Sequence, residues 1–285
     1  MKLKSLIVCL TLGAFTVSQA WNDTGHMLVA AVAEQNMTQR AKERARLLAE
    51  QFGDERTNSF FSCACWADDS KDQTSGVWHY INYHFWDDGR APSKKPLEQN
   101  VVWAIKTFSS QIEQGGINDD VLWKKMFYLV HFVGDVHQPL HTLARDSQGF
   151  PDGDRGGNDF KIAPIEGWGK RPVENLHSFW DFGGGAFTTY NKRPLSGDAN
   201  RDLANTAKNL IKEFPRDSFK EVAEADPEKW ALESVAINKQ VYNLTEGQAV
   251  PQNYITWARN LSKQRVTLAG YRLADLLNRL LDPKQ

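Results

Sequence analysis

No run of basic residues occurs anywhere in this 285-residue chain, and its formal charge is only −1. A protein that grips a polyanion through many phosphate contacts usually carries a basic face. If this one handles such a ligand, bound metal ions must supply most of the positive charge. Cysteine is scarce too. Of three residues, Cys9 falls in an N-terminal leader, which leaves Cys63 and Cys65 and excludes a disulfide scaffold. That pair either closes a small strained ring or stays reduced, and neither cysteine is assigned a function. No apolar run is long enough to cross a bilayer: the longest, Leu6 to Val17, is too short. Repeats and low-complexity linkers are also lacking, which excludes solenoids and tethered modules.

The leader has the features of a cleaved signal peptide. Lys2 and Lys4 precede the apolar stretch, and Ser18 and Ala20 supply small residues before a cut after position 20. Val8 stands where a lipoprotein signal would need a small residue before Cys9. Cleavage takes the formal charge from −1 to −3, through loss of Lys2 and Lys4, and leaves residues 21–285 as one domain of a size that a single core can support. A soluble secreted or periplasmic product with no stable membrane association is expected.

The mature chain reads as mainly α. A long helix is expected over His26 to Phe52 with a turn near Asn36 to Thr38, and another over Leu97 to Gln114. A third starts at an Asn118 cap and runs through Val121, Trp123, Phe127, Val130 and Val133 to a stop before Pro139. Apolar on most sides, it is the expected central buried helix, and a His and an Asp inside it need partners to offset their burial. The segment from Ala258 to Leu280 reads as a plain amphipathic closing helix. Asp87 to Pro96 is a loop, and the Gly/Asp-rich stretch Gln148 to Asn158 is the expected tip of a small hairpin ending in Phe160 and Ile162. Most of the ten tryptophans read as core filling between helices.

The chemistry is concentrated in histidine. Six of the seven histidines fall in a set of short His/Asp motifs: Trp21-Asn22-Asp23-Thr24-Gly25-His26, Trp66-Ala67-Asp68, His79-Tyr80-Ile81-Asn82, the run from His131 through Asp135 and His137 to His141, and His177-Ser178-Phe179-Trp180-Asp181. His131 with Asp135, and His177 with Asp181, stand at i and i+4, so each pair shares a helix face and can converge on one ion. Either pair alone would more often be a hydrogen bond or a surface ion pair. Both together, with His141 past a proline break and His26 near a new amino terminus, point to metal. Imidazole with carboxylate suits zinc, and the donors outnumber what one tetrahedral ion can use. Trp21 gains meaning from position, because a freed α-amino group and its own carbonyl oxygen can chelate an ion in a five-membered ring.

In this combination of ordered motifs the chain resembles the trinuclear-zinc single-strand nucleases of fungi, plants and bacteria, the S-one/P-one family, related in site design to bacterial zinc phospholipases C. The likeness runs from Trp21 to about Asp181 and rests on the N-terminal Trp with a nearby His, WAD, HYIN, VHFxGDxHQPLH, GGN and NLHSxWD. It implies a single-domain multi-helix fold of the zinc phospholipase C/nuclease type with a small β-hairpin. It implies three zinc ions: Asp68, His79 and His131 on one, Asp135 bridging it to a second on Trp21 and His26, and His141, His177 and Asp181 on a third. His84 and His137 are left as loop or ligand-orienting residues.

The same resemblance gives Lys71 a charge role at the phosphate, with Asp68 orienting the attacking water. It gives Tyr80 and Asn82 a nucleoside pocket, although fungal members carry aspartate at the second position. Asn158 matches a substrate-side asparagine and reads equally well as a turn residue. The implied activity is endonucleolytic hydrolysis of single-stranded DNA and RNA to 5′-phosphate products, with 3′-nucleotidase activity on mononucleotides, by a monomer. A zinc phospholipase C is the rival enzyme, disfavoured by Asp181, where that branch tends to carry glutamate, and by the WAD and HYIN motifs. A non-catalytic zinc-storage protein is the rival of another class, and it would leave Lys71 and the nucleoside pocket without purpose.

Overall fold

Asn22 starts the first regular element by accepting the Gly25 amide at 3.1 Å, which caps helix α1 (Asp23–Asn36). The computed structural model describes residues 21–283 apart from Ser93 and Tyr190, so the signal segment lies outside the described residues. Thr38 caps α2 (Gln39–Phe52) in the same way, which places the expected turn at Met37 and Thr38. Then come α3 (Trp66–Asp69), strand β1 (Tyr83–Trp86), α4 (Val101–Glu113), α5 (Asp119–Asp135) and β2 (Leu143–Asp146). Next are β3 (Lys161–Ile165), β4 (Val173–Asn175), α6 (Leu176–Asp181), α7 (Gly197–Glu213), α8 (Pro227–Val235), α9 (Asn238–Val241) and α10 (Gln252–Leu281). The mainly α class is borne out.

Helix α4 starts later than its apolar pattern suggests, because Asn100 accepts the Val102 and Trp103 amides and fixes the cap there. Helix α5 is the expected central helix, buried without interruption from Met126 to Asp135. Its first turn is outside the core, with Val121 exposed. The hairpin is real but displaced. Strand β2 pairs in parallel with β1, and the antiparallel hairpin is β3 with β4, turning near residues 166–172. The stretch 147–160 joins two different sheets, because Leu143–Asp146 finds its edge on β1.

The closing helix departs most from expectation. Residues 265–274 of α10 are buried on every side, including Arg265 and Arg272. Both arginines pair with Glu233 of α8, at 2.5 and 2.6 Å, which compensates their burial. Arg272 also donates to His137 Nε2 at 2.9 Å, and Arg265 to the His137 carbonyl at 3.1 Å. Thus α10 anchors the chain where α5 ends.

One large core surrounds α1, α2, α4, α5, α7 and α10, and a smaller one lies under β3, β4, α6 and the start of α10. The His/Asp motifs lie where they meet. A backbone bond from the Asn22 amide to the Asp181 carbonyl, 3.0 Å, ties the chain's first described turn to the end of α6.

Candidate metal centre and the cavity beside it

Reciprocal bonds build the site from the backbone outward. The Ile81 amide donates to the His141 carbonyl at 2.7 Å, and His141 Nδ1 donates to the His79 carbonyl at 2.6 Å. The segments preceding β1 and β2 are thereby locked side by side. On α5, Gly134 leaves room for a neighbour: a Cβ there would lie 2.9 Å from His26 Nδ1. Its carbonyl accepts the indole N–H of fully buried Trp21 at 3.0 Å. The HFVGD turn of α5 therefore seats both Trp21 and His26.

Asp135 is the centre of the first cluster. Its Oδ1 lies 3.4 Å from His26 Nε2, and its Oδ2 lies 3.0 Å from His79 Nδ1 and 3.3 Å from His131 Nε2. Each oxygen faces a different histidine set. The His26 and His131 rings stack at 3.8 Å, and Asp68 closes the cluster 3.6 Å from His79 and 3.8 Å from His131. Two overlapping groups able to hold an ion result, His26/Asp68/His131 and His79/His131/Asp135. A separate third group is His141/His177/Asp181.

Donor orientation fits metal. His131 Nδ1 is tied to the Ala64 carbonyl and His177 Nδ1 to the Gly156 carbonyl, each at 2.6 Å, as His141 is tied to His79. A ligating histidine commonly donates its other N–H to a carbonyl in this way, which fixes the tautomer and aims the free lone pair. Gly156 can present its carbonyl because its φ is +64° and a Cβ would meet the Leu140 carbonyl at 2.3 Å. Both Asp135 oxygens, both His26 ring nitrogens, His79 Nε2 and His141 Nε2 are buried and make no hydrogen bond among the described residues. So many unmet polar atoms in one place would be costly unless cations satisfied them.

Electrostatics agrees. Burial, with His131 and other nearby cations, lowers the affinity of His26 and His79 for protons, and burial with His177 does so for His141. These imidazoles are neutral, as ligands must be. His131 moves the other way: burial lowers its pKa, but Asp135 and Asp68 outweigh that and raise it. Burial pushes Asp135 up to about 6 and Asp181 well above the usual carboxylate range. A divalent cation would reverse both carboxylate shifts.

A cavity of about 760 Å³ opens onto this cluster. His79, His141 and His177 form one part of its wall, and Lys71, Tyr80, Asn82 and Asn158 line it as well. All three residues expected to hold substrate thus share a space with candidate ligands from two of the metal groups. Asn158 serves the turn too, since its Nδ2 donates to the Arg155 carbonyl at 2.9 Å. Lys71 Nζ sits 2.8 Å from Asp68 Oδ1, with its side chain 9% exposed. The family description of the S1/P1 nucleases matches residues 21–282.

The chain belongs to the S1/P1 nuclease family.

Its similarity to two relatives runs nearly end to end. It is 28% identical to Endonuclease 4 of Arabidopsis thaliana across 93% of this chain and 90% of that protein. It is 24% identical to Nuclease P1 of Penicillium citrinum across 91% and 97% of the two chains. Against Nuclease S1 of Aspergillus oryzae the identity is 25%, over 60% of this chain and 56% of the other.

Of the remaining histidines in this S1/P1 family member, His84 lies on β1 and bonds Asp146 at 2.7 Å rather than sitting in a loop. His137 is buried, and its Nδ1 donates to the Val133 carbonyl at 2.7 Å. Cys63 and Cys65 are free thiols whose pKa values burial raises, which makes them poor nucleophiles. Two supporting features escape the sequence reading. Gln138 donates to Asp181 Oδ1 at 2.8 Å and aims that carboxylate; its place between His137 and His141 was the available signal. Arg193, with a side chain 2% exposed, pairs with Asp23 at 2.9 Å and Asp69 at 2.5 Å.

Arg193 thus bolts the turn after Trp21 to the residue after Asp68. No spacing rule connects positions so far apart. Arg193→Leu would strand the Asp23 carboxylate and leave Asp69 only its longer contact to Arg56, 3.4 Å, at a cost of about 3 kcal/mol. Denaturant unfolding of parent and variant measures this, and a change below about 1 kcal/mol would mean that the pair is solvated and weak.

Proposed function

We propose that the chain is an exported, zinc-dependent endonuclease that hydrolyses phosphodiester bonds of single-stranded DNA and RNA to 5′-phosphate products and removes 3′-phosphates from mononucleotides. Family membership supports the reaction class. The observation that carries the reading is the shared cavity: Tyr80 and Asn82 line the space into which His79, His141 and His177 face. A phosphodiester at the metal groups would leave its nucleoside within reach of an aromatic ring and an amide.

In this reading residues 21–285 act as one monomeric domain after residues 1–20 are removed. Secretion or periplasmic delivery follows from the leader, and no helix among the described residues is long and apolar enough to cross a membrane. Three zinc ions would be held by Asp68, His79, His131 and Asp135, by Trp21, His26 and Asp135, and by His141, His177 and Asp181. Zinc in such a site lowers the pKa of water toward ~7 and neutralises phosphate charge.

The chain's own residues do the rest. Asp68, steadied by Lys71, accepts a hydrogen bond from the attacking water and orients it toward phosphorus. Lys71 places positive charge beside the phosphoryl oxygens as the bond to the 3′ oxygen breaks, leaving the phosphate on the 5′ side. Tyr80 stacks on a base, which a paired strand cannot offer, and so favours single strands. Asn82 and Asn158 contribute hydrogen bonds to base and backbone.

The test gives purified mature protein single-stranded DNA, double-stranded DNA and phosphatidylcholine in parallel, with and without a chelator. Rapid cleavage of the single strand, slower cleavage of the duplex, an untouched lipid and complete loss with chelator are expected. Hydrolysis of the lipid alone would make the protein a phospholipase C. Tight zinc binding with no hydrolysis would make it a storage protein.

A further inference from the structure

We propose that Arg155 binds the phosphate of a nucleotide adjoining the scissile bond, and so sets how strongly the enzyme prefers a strand over a mononucleotide. This rests on the nuclease reading above. Arg155 lines the same cavity as Lys71, Tyr80 and His177, but at a different depth. Lys71 is 9% exposed and lies against Asp68, whereas the Arg155 side chain is 62% exposed. One cation is deep in the site and the other is at the rim. A strand that places one phosphate at the metal groups carries its next phosphate outward, and the mature chain has no basic run to receive it.

The backbone marks the residue independently. Arg155 has φ +53° and is the one non-glycine residue with positive φ among the described residues. A long side chain in the left-handed region costs of order 1 kcal/mol, and glycine would sit there without strain. Arginine is nonetheless present, immediately before Gly156 and Gly157. The turn is rigid, because the Gly156 carbonyl holds His177 Nδ1 at 2.6 Å and Asn158 Nδ2 holds the Arg155 carbonyl at 2.9 Å. The guanidinium is also aimed: Asp159 accepts from Nε at 2.8 Å and from Nη2 at 2.6 Å. That edge-on pairing fixes the plane and leaves Nη1 to an incoming phosphate oxygen, the geometry in which arginine excels over lysine.

The experiment compares the parent with Arg155→Gly, Arg155→Gln and Arg155→Lys on a thymidine oligonucleotide and on a nucleoside 3′-monophosphate, across a salt series. Arg155→Gly relieves the backbone strain, so its Tm should be no lower than the parent's, and it keeps the experiment readable if the Gln variant folds poorly. For Gly and Gln, kcat/KM on the oligonucleotide should fall about 10-fold, mostly through KM, and on the monophosphate by less than about 3-fold. The slope of log KM against log salt on the oligonucleotide should shrink by about 0.7, one phosphate contact on a single strand. Arg155→Lys should restore the slope. Equal losses on both substrates would mean that Arg155 acts only through the turn that holds His177, and no loss would mean that it is a solvated surface charge; either overturns the proposal. A parent that cleaves neither substrate would instead overturn the nuclease reading, and that result is visible before any variant is made.

Discussion

Asp135→Ala should strip more than one metal equivalent from the protein and lower hydrolysis of single-stranded DNA by at least about 10³-fold, a loss larger than that of a single electrostatic donor. The reason is geometric. One carboxylate oxygen faces His26 and the other faces His79 and His131, so a single side chain holds two histidine sets together. Alanine leaves each set with imidazoles whose charge requirement is unmet. Asp181→Ala should lose about one equivalent, because Asp181 belongs to the separate group with His141 and His177. Metal analysis after exhaustive dialysis distinguishes the two. A collapsed fold would give the same metal loss, but it can be told apart. Burial pushes the Asp135 carboxyl up to about 6, so at neutral pH the metal-free fold carries an unfavourable buried charge. Alanine removes that charge but also the counter-charge facing buried His131, so the control is the far-UV spectrum of the metal-free variant, which should match the parent's. Full occupancy in Asp135→Ala would remove this residue from the ligand set.

Much of this candidate centre is readable from sequence because its histidines and aspartates fall in short local motifs. The i, i+4 pairs His131/Asp135 and His177/Asp181 fall on α5, whose helical pattern is plain in the residues, and on α6, where the spacing of the pair is the only local signal. Tyr80, Asn82 and Lys71 stand out only through the family resemblance, and all three line one cavity. What escapes is non-local. The hairpin is misplaced because the pairing of Leu143–Asp146 with Tyr83–Trp86 joins segments far apart in the chain, and strand propensity does not name a partner. The burial of α10 is hidden because Arg265 and Arg272 look like solvent-facing charges until Glu233 and His137 are placed opposite them. Arg193 is hidden for the same reason. The candidate donors fall in local motifs, and the groups that hold those motifs in register come from distant parts of the chain.

A Lys71 variant is the test that tells a catalytic role from metal holding. Lys71 lies 2.8 Å from Asp68 and lines the cavity, yet a protonated amine cannot ligate zinc. Its contribution should therefore appear where negative charge grows on the phosphoryl oxygens, in the transition state rather than in metal or ground-state binding. Lys71→Ala is expected to keep the full metal content and an unchanged far-UV spectrum while kcat on single-stranded DNA falls about 10²-fold, the loss typical of one preorganised electrostatic donor. KM should move much less than kcat, since a uniform loss of substrate affinity would raise KM instead. Lys71→Arg should recover much of the rate, because a guanidinium also pairs with phosphate, although its planar fork differs from a point charge. A variant that loses metal would show that Lys71 matters chiefly by steadying Asp68. If Lys71→Ala instead cleaves at the parental rate with its metal intact, Lys71 takes no part in charge stabilisation, and the phosphoryl charge in this site is met by metal alone.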